Sequence, residues 1–209
     1  MRNILIQDDV QLVEDRLKKF ETATGCELLL VVAKASDPYP AAPVRFGLVS
    51  AFVLLFVFSL LYEFQHAWIW PVSFFAVAIL MTWVGHFSWT KKLALSDWEI
   101  DRETREKSIE CFHTLGTSRV SHKVTAMIMV SVLERRINVL VDEELKEKLS
   151  QDDLNSLVEM MKKHFKEGNM ALGFVSSIET LEKKILTSYS GPVSQNKPSE
   201  LLDTIQFIS

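Results

Sequence analysis

From Phe46 to Thr90 the chain carries one fully charged side chain, Glu63, among 45 residues rich in Phe, Leu, Val and Trp. A soluble core rarely contains such a run, because a helix at a globular surface turns one polar face to water. The stretch divides at Tyr62-Glu63-Phe64-Gln65-His66 into 17 uncharged residues, Phe46 to Tyr62, and 27 more, Phe64 to Thr90. A membrane helix needs about 20 apolar residues. The pattern therefore predicts two transmembrane spans joined by a tight turn. Trp68 and Trp70 lie near one end of the second span and Trp83 and Trp89 near the other, where amphipathic rings favour the headgroup boundary. Pro71 falls in that span's first turns, where its missing N–H costs least.

The flanks set an orientation. Arg45 precedes the first span, Lys91-Lys92 follow the second, and the connecting turn has no Lys or Arg, so both ends of the chain are expected in the cytoplasm. The lipid bilayer of a bacterial inner or plasma membrane is then the first partner. His86, inside the second span, reads as an interhelical hydrogen-bonding or interfacial group. Two spans with one histidine make a poor pore.

Whole-chain averages, 48% hydrophobic and 24% charged, match an ordinary globular protein and conceal this concentration. About 160 residues lie outside the hairpin, enough for one domain with a core. The net charge of -4, from 23 Lys+Arg and 27 Asp+Glu, leaves no basic stripe and disfavours nucleic acid as a partner. Cys26 and Cys111 form neither a CxxC pair nor a disulfide framework and read as reduced structural thiols. The first 40 residues contain no basic segment followed by an apolar run, so no cleavable signal peptide is expected.

Val10, Val13, Leu17 and Phe20 recur at helical spacing after Asp8-Asp9 and predict a helix over 8–22. Glu27 to Ala33 (ELLLVVA) reads as a strand buried on both faces. Ala35 to Pro43 is a proline-broken loop leading to the membrane. Beyond the hairpin, Leu95 to Leu115 is helix-favouring and charged. Val124 to Val132 and Ile137 to Val141, joined by Leu133-Glu134-Arg135-Arg136, have a β-hairpin signature. Ser150 and Asp153 resemble a capping box opening a helix along Leu154, Leu157, Val158, Met161 and Phe165. A last helix aligns Phe174, Ile178, Leu181 and Ile185, and an edge strand is expected near Thr204 to Ile208. Neither soluble part makes a covered sheet alone, so the two must pack together. The expected parts are 1–43 and 92–189, forming one domain, the hairpin 44–91, and a tail 190–209.

Four stretches resemble the TPM domain family in its membrane form, where two spans interrupt the domain. They are TGCELLLVVAKASDPYPAAP (Thr24 to Pro43), ECFHTLGTS (Glu110 to Ser118), AMIMVSVLERRINVLVDEEL (Ala126 to Leu145) and FKEGNMALGFVSSIETLEKKIL (Phe165 to Leu186). The resemblance implies an α/β fold, a three-layer TPM-like domain on a small mixed sheet, interrupted by a two-helix transmembrane hairpin. It also implies a family some of whose members bind calcium or show weak acid phosphatase activity. Many members place the domain outside the cytoplasm, whereas the flanking charges here place it inside.

Motifs for catalysis are absent: Cys111 has Thr117 six positions on rather than an arginine, and there is no Asp-x-Asp, G-x-S-x-G, P-loop or H-E-x-x-H. The remaining constellation is acidic. If the strands over 28–32 and 137–141 run parallel, Asp37 and Asp142 emerge at one sheet edge, where α/β proteins tend to bind ligands. Asp37, Asp142 and Glu143 would then suit Ca²⁺ or Mg²⁺, with Ser36 and Tyr39 nearby. The resemblance favours Asp37 and Asp142 further, since they match its S-D-x-Y loop and hairpin-end aspartate. Structural roles stand ahead of the ligand role, Asp142 as a helix cap and Asp37 as a turn before Pro38. Glu134 and Arg135 read as a solvated turn or a partner contact. His113 and His122 lack a third metal ligand at suitable spacing.

The expected function is a membrane-anchored module that binds a divalent metal or membrane-associated protein partners without catalysis. The alternatives are a weak metal-assisted phosphatase and a structural organiser of a membrane complex.

Overall fold

The structure is a computed structural model of the 209-residue chain that describes residues 7–61, 68–117, 125–188 and 204–208. In chain order the elements are α1 (Gln7–Thr24), β1 (Glu27–Ala33), α2 (Ala41–Leu61), α3 (Ile69–Val84), α4 (Ser88–Ala94) and α5 (Asp97–Cys111). A π-helical turn (Phe112–Thr117) follows, then β2 (Thr125–Ser131), β3 (Arg136–Val141), α6 (Glu143–Lys146), α7 (Gln151–Lys166), α8 (Met170–Ser188) and β4 (Gln206–Ile208). The expected turn at 62–66, His122, and the tail over 190–203 lie outside the described residues. The chain divides into two compact units, one made of Met1–Ser36 with Thr104–Ser209 and the other of Asp37–Glu103.

The first unit is built on a four-stranded mixed sheet in the order β3-β2-β1-β4. β1 pairs in parallel with β2, Leu30 opposite Ile128, and in parallel with β4, Val32 opposite Phe207. β2 and β3 form an antiparallel hairpin, Ile128 opposite Val139. All seven residues of β1 are buried, as an apolar central strand covered on both faces requires.

Strand alternation divides the side chains between two cores. Leu28, Leu30, Val32, Ile128 and Val130 pack with Val13, Leu17 and Phe20 of α1 and with Leu157, Phe174, Ile178 and Leu181 of α7 and α8. Leu29, Val31, Ala33, Met127 and Met129 face Cys111, Phe112 and Leu115 on the other side. There α5 approaches through small side chains, Thr104, Ser108 and Cys111. Asn138 Nδ2 of β3 donates to Thr104 O at 3.1 Å and to Ser108 Oγ at 2.7 Å, so the polar groups taken into this layer have partners.

The helices end where their sequence dictates. Ser150 caps α7 with its hydroxyl accepting from Asp153 N–H at 3.2 Å, and Asp153 Oδ2 accepts the Ser150 N–H in return at 3.0 Å, a reciprocal capping box. At the far end Gly168 adopts φ +81. Its N–H donates to Phe165 O and the next N–H, of Asn169, to His164 O, the Schellman arrangement that favours glycine.

The second unit packs in the opposite sense to a soluble core. The buried residues of α2 are Ala42, Pro43, Gly47 and Ala51, and that of α3 is Ala78. The large apolar side chains, Phe52, Phe56, Leu60, Phe75, Ile79 and Trp83 among them, are exposed. A Cβ on Gly47 would fall on Thr82 Oγ1 and lie 2.8 Å from Ala78 O, and one on Gly85 would lie 2.8 Å from Pro43 Cα. These two close approaches make α2 and α3 antiparallel, because 47 meets 78 and 82 while 43 meets 85.

The second apolar run differs from its expected course to Thr90. The helix stops at Val84, the chain is extended at Phe87 (φ -70, ψ 142), and α4 begins at Ser88. Thr90 Oγ1 lies 3.1 Å from Val84 O and 2.7 Å from Phe87 O, supplying a side-chain donor where the helical ladder is interrupted. The 16 residues of α3 span about 24 Å at 1.5 Å per residue, less than a hydrocarbon core of about 30 Å. Among the described residues one helix, Ala41–Leu61, is long and apolar enough to cross a membrane. It also starts earlier than the loop expected to reach Pro43. Pro43 lies in its first turn, where a missing N–H leaves no helical bond unmade.

Candidate functional site at the carboxyl edge of the sheet

The three parallel strands β1, β2 and β4 all finish at the same edge, the side of an α/β sheet on which ligands tend to bind. Ser36 lies three residues past β1, Ser131 ends β2, and Glu134 sits in the turn before β3. Ser36 N–H donates to Glu134 Oε1 at 2.8 Å, Ser36 Oγ donates to Ser131 Oγ at 3.0 Å, and Ser131 Oγ donates to Glu134 Oε2. The backbone extends the same seam, with Val132 N–H on Ala33 O and Leu133 N–H on Lys34 O, each at 3.0 Å. Arg135 follows in the left-handed region at φ 56, which turns the chain into β3 and leaves its own side chain exposed.

Glu134 is therefore not the solvated turn residue expected from its charged neighbours: it is 7% exposed, and each carboxylate oxygen accepts a protein donor. Burying a carboxylate is costly unless hydrogen bonds replace its hydration. The arrangement is a clamp that joins the hairpin turn to the end of β1. Sequence reading missed Ser131 and Glu134 because their partner, Ser36, lies 95 and 98 residues away, and no local spacing marks the pairing.

The acidic constellation is organised differently. β3 runs antiparallel to β2, while β1 runs parallel to β2. The parallel relation expected between 28–32 and 137–141 is thus corrected. Val141 at the end of β3 sits opposite Ala126 at the start of β2, so Asp142 emerges at the edge remote from Ser36, Ser131 and Glu134. The reason is the hairpin itself, since a four-residue turn can only reverse the strand.

Asp142 caps α6, its Oδ1 accepting Leu145 N–H at 2.9 Å. Glu143 Oε1 accepts from Lys146 Nζ at 2.6 Å. Asp37, in the second unit, accepts the N–H of Tyr39 at 2.5 Å, which with Tyr39 at φ 51 forms a tight Asx-type turn before α2. Among the described residues no three His, Cys, Asp or Glu side chains gather as a metal site would require. His113 is exposed on the π-helical turn. His86 contacts its own helix, Nδ1 lying 3.0 Å from Thr82 O, rather than a neighbouring one.

Both thiols lie inside the first unit's cores. Burial pushes the Cys26 thiol up to about 11 and raises that of Cys111, so neither is a ready nucleophile near neutrality.

This fold can be compared with known proteins. Residues 94–184 match the family described as the TPM domain. The TPM match starts at the last residue of α4 and ends within α8, so α1 and the two strands that complete the sheet, β1 and β4, lie outside it. A solved structure, the BA42 protein from the psychrophilic bacterium Bizionia argentinensis, superposes with a TM-score of 0.57 at 14% identity, covering 97% of this chain and 94% of that one. At that identity the likeness is one of fold. No curated protein sequence matches the chain.

Proposed function

We propose that the protein is a membrane-anchored TPM-like domain acting as a non-catalytic interaction module. In this reading α2 and the second apolar run over 64–90, of which α3 is one helical part, form a two-span hairpin in a bacterial inner or plasma membrane, both chain ends are cytoplasmic, and the partners are membrane-associated proteins. The observation that carries it is the packing of the hairpin, with Gly47, Ala51 and Ala78 inside and Phe52, Phe56, Ile79 and Leu60 outside. Water penalises that distribution, whereas lipid removes the penalty and leaves close packing of small residues as the force between helices. Arg45 and Lys91 at the open end of the hairpin fit a cytoplasmic flank. Arg45 pairs with Glu99 at 2.7 Å and Lys91 Nζ donates to Pro38 O at 3.1 Å.

Binding rather than chemistry is favoured by how the acidic groups are used. Asp37, Asp142 and Glu143 each make a local bond, and the Glu134 carboxylate is filled by serine and backbone donors.

The test is alkaline extraction of membranes with compartment-sensitive reporters on the C-terminus, alongside hydrolysis of a model phosphate ester with Ca²⁺ or Mg²⁺. Retention in the pellet, a cytoplasmic reporter and no turnover are expected. Release by carbonate would remove the anchor, an external reporter would reverse the orientation, and turnover abolished by Asp142→Asn would make the protein an enzyme.

A further inference from the structure

The second unit carries exposed apolar groups beyond the two long helices. Leu93, in the last turn of α4, is 72% exposed, and Trp98, in the first turn of α5, is 69% exposed. Single exposed hydrophobics are ordinary, but these two have a setting. The Arg102 guanidinium lies 4.9 Å from the centre of the Trp98 ring. That guanidinium also pairs with Glu103 at 2.5 Å, so Trp98 is an exposed ring with an ion-paired polar neighbour, the amphipathic character of side chains that sit where apolar tails meet the polar headgroups.

The second observation is a groove between α2 and α4, open at the surface and about 520 Å³ in volume, walled by Phe46, Leu48 and Val49 on one side and Leu93 and Ala94 on the other. Leu48 and Val49 also belong to the outward apolar face of α2. The groove is therefore continuous with the face read above as lipid-exposed. Its shape and apolar walls suit an acyl chain, and Arg45 stands at its edge.

We propose that α4 and the first turn of α5 lie in the headgroup layer of the bilayer, with Leu93 and Trp98 inserted as a wedge and a lipid acyl chain in the groove between α2 and α4. This rests on the anchoring reading and adds a second, interfacial attachment. The connection between α3 and α4 is short, since only Gly85, His86 and Phe87 separate them. An element that close to the end of a span stays near the membrane surface, and Trp favours that depth.

The test uses the full chain in nanodiscs of phosphatidylcholine and phosphatidylglycerol, with a nitroxide on Leu93→Cys, Trp98→Cys or Phe52→Cys in separate variants, so that each wedge label leaves the other wedge residue in place. The native thiols are buried, which directs the label to the introduced cysteine. Labels at 93 and 98 are expected to lose nickel-chelate collisions and gain oxygen collisions relative to free label, with the label at 52 shifted further. Aqueous values at 93 and 98 with a lipid value at 52 would overturn the wedge and leave the anchor. Aqueous values at all three would overturn the anchor as well. Immobilised labels at 93 and 98, reached by neither reagent, would mean a protein contact and would also overturn the wedge.

Discussion

The carboxylate of Glu134 accepts the backbone N–H of Ser36 at 2.8 Å across 98 residues of sequence. That bond ties the turn of the β2–β3 hairpin to the segment that leaves β1, joining two parts of the chain that the apolar helices separate. With Ser131 Oγ on the other oxygen, the two strands end in one hydrogen-bonded unit.

Removing that carboxylate strands two buried donors. Glu134→Ala is expected to lower stability by about 1–3 kcal/mol, the usual cost of buried polar groups left without partners. Glu134→Gln, which keeps one acceptor oxygen, should lose less. Denaturant unfolding of the full chain in detergent, followed by far-UV circular dichroism, checks both, and equal losses would mean that the two bonds are not what matters.

The contact of α2 with α3 depends on the absence of a side chain at Gly47. Gly47→Val has no room, because the added atoms meet Thr82 and the Ala78 carbonyl. Overpacking of this kind costs about 1–3 kcal/mol and should show as easier proteolysis within the hairpin. Phe52→Leu, on the outward face, should leave the pattern unchanged.

Asp153 gives a pH dependence. Hydrogen bonds from Lys184 and Ser150 hold its carboxyl at about 2, below the ordinary 3.8. Since the folded value is the lower one, the stabilisation is fully present above about pH 4 and fades as pH falls toward 2. Lys184→Met removes the first of these bonds, so the Asp153 carboxyl should titrate higher, and less stability should be lost between pH 4 and pH 2. A carbon NMR titration of the aspartate side chains reads the shift directly. An unchanged Asp153 in the variant would assign the lowering to Ser150 alone.

Asp142 separates capping from ligation. Asp142→Ala should cost about 1 kcal/mol and Asp142→Asn little, since both Asp and Asn cap well. The ranking should hold with or without Ca²⁺ and Mg²⁺ in a thermal-shift series. Cation-dependent stabilisation of the wild type that both variants lose would instead make Asp142 a ligand.

Much of the fold is legible from sequence because it follows local rules. The ELLLVVA strand, the capping box of Ser150 and Asp153, and the stripes of α1, α7 and α8 repeat a period set by one element's geometry. The terminal edge strand near Thr204 to Ile208 is read in the same way and is found as β4. The break after Val84 is less visible: hydropathy counts apolar residues and does not register that Thr90 can hold the carbonyls of Val84 and Phe87.

The site shows where local reading stops. Asp37, Ser36 and Asp142 are placed correctly along their own segments, but which edge each reaches depends on strand direction across the sheet. Hydrophobic alternation is the same for a parallel as for an antiparallel neighbour, so it is silent about direction. What the sequence by itself determined is the apolar hairpin region, the helices, the strands and their buried faces, all consequences of side-chain period and charge. Only the tertiary structure decided that β1 lies between β2 and β4, that Asp142 stands at the opposite edge from Ser36, and that Glu134 is buried rather than solvated. Those outcomes rest on hydrogen bonds between separate elements, among them Ser36 with Glu134 and β1 with β2 and β4, which no periodicity within one element encodes.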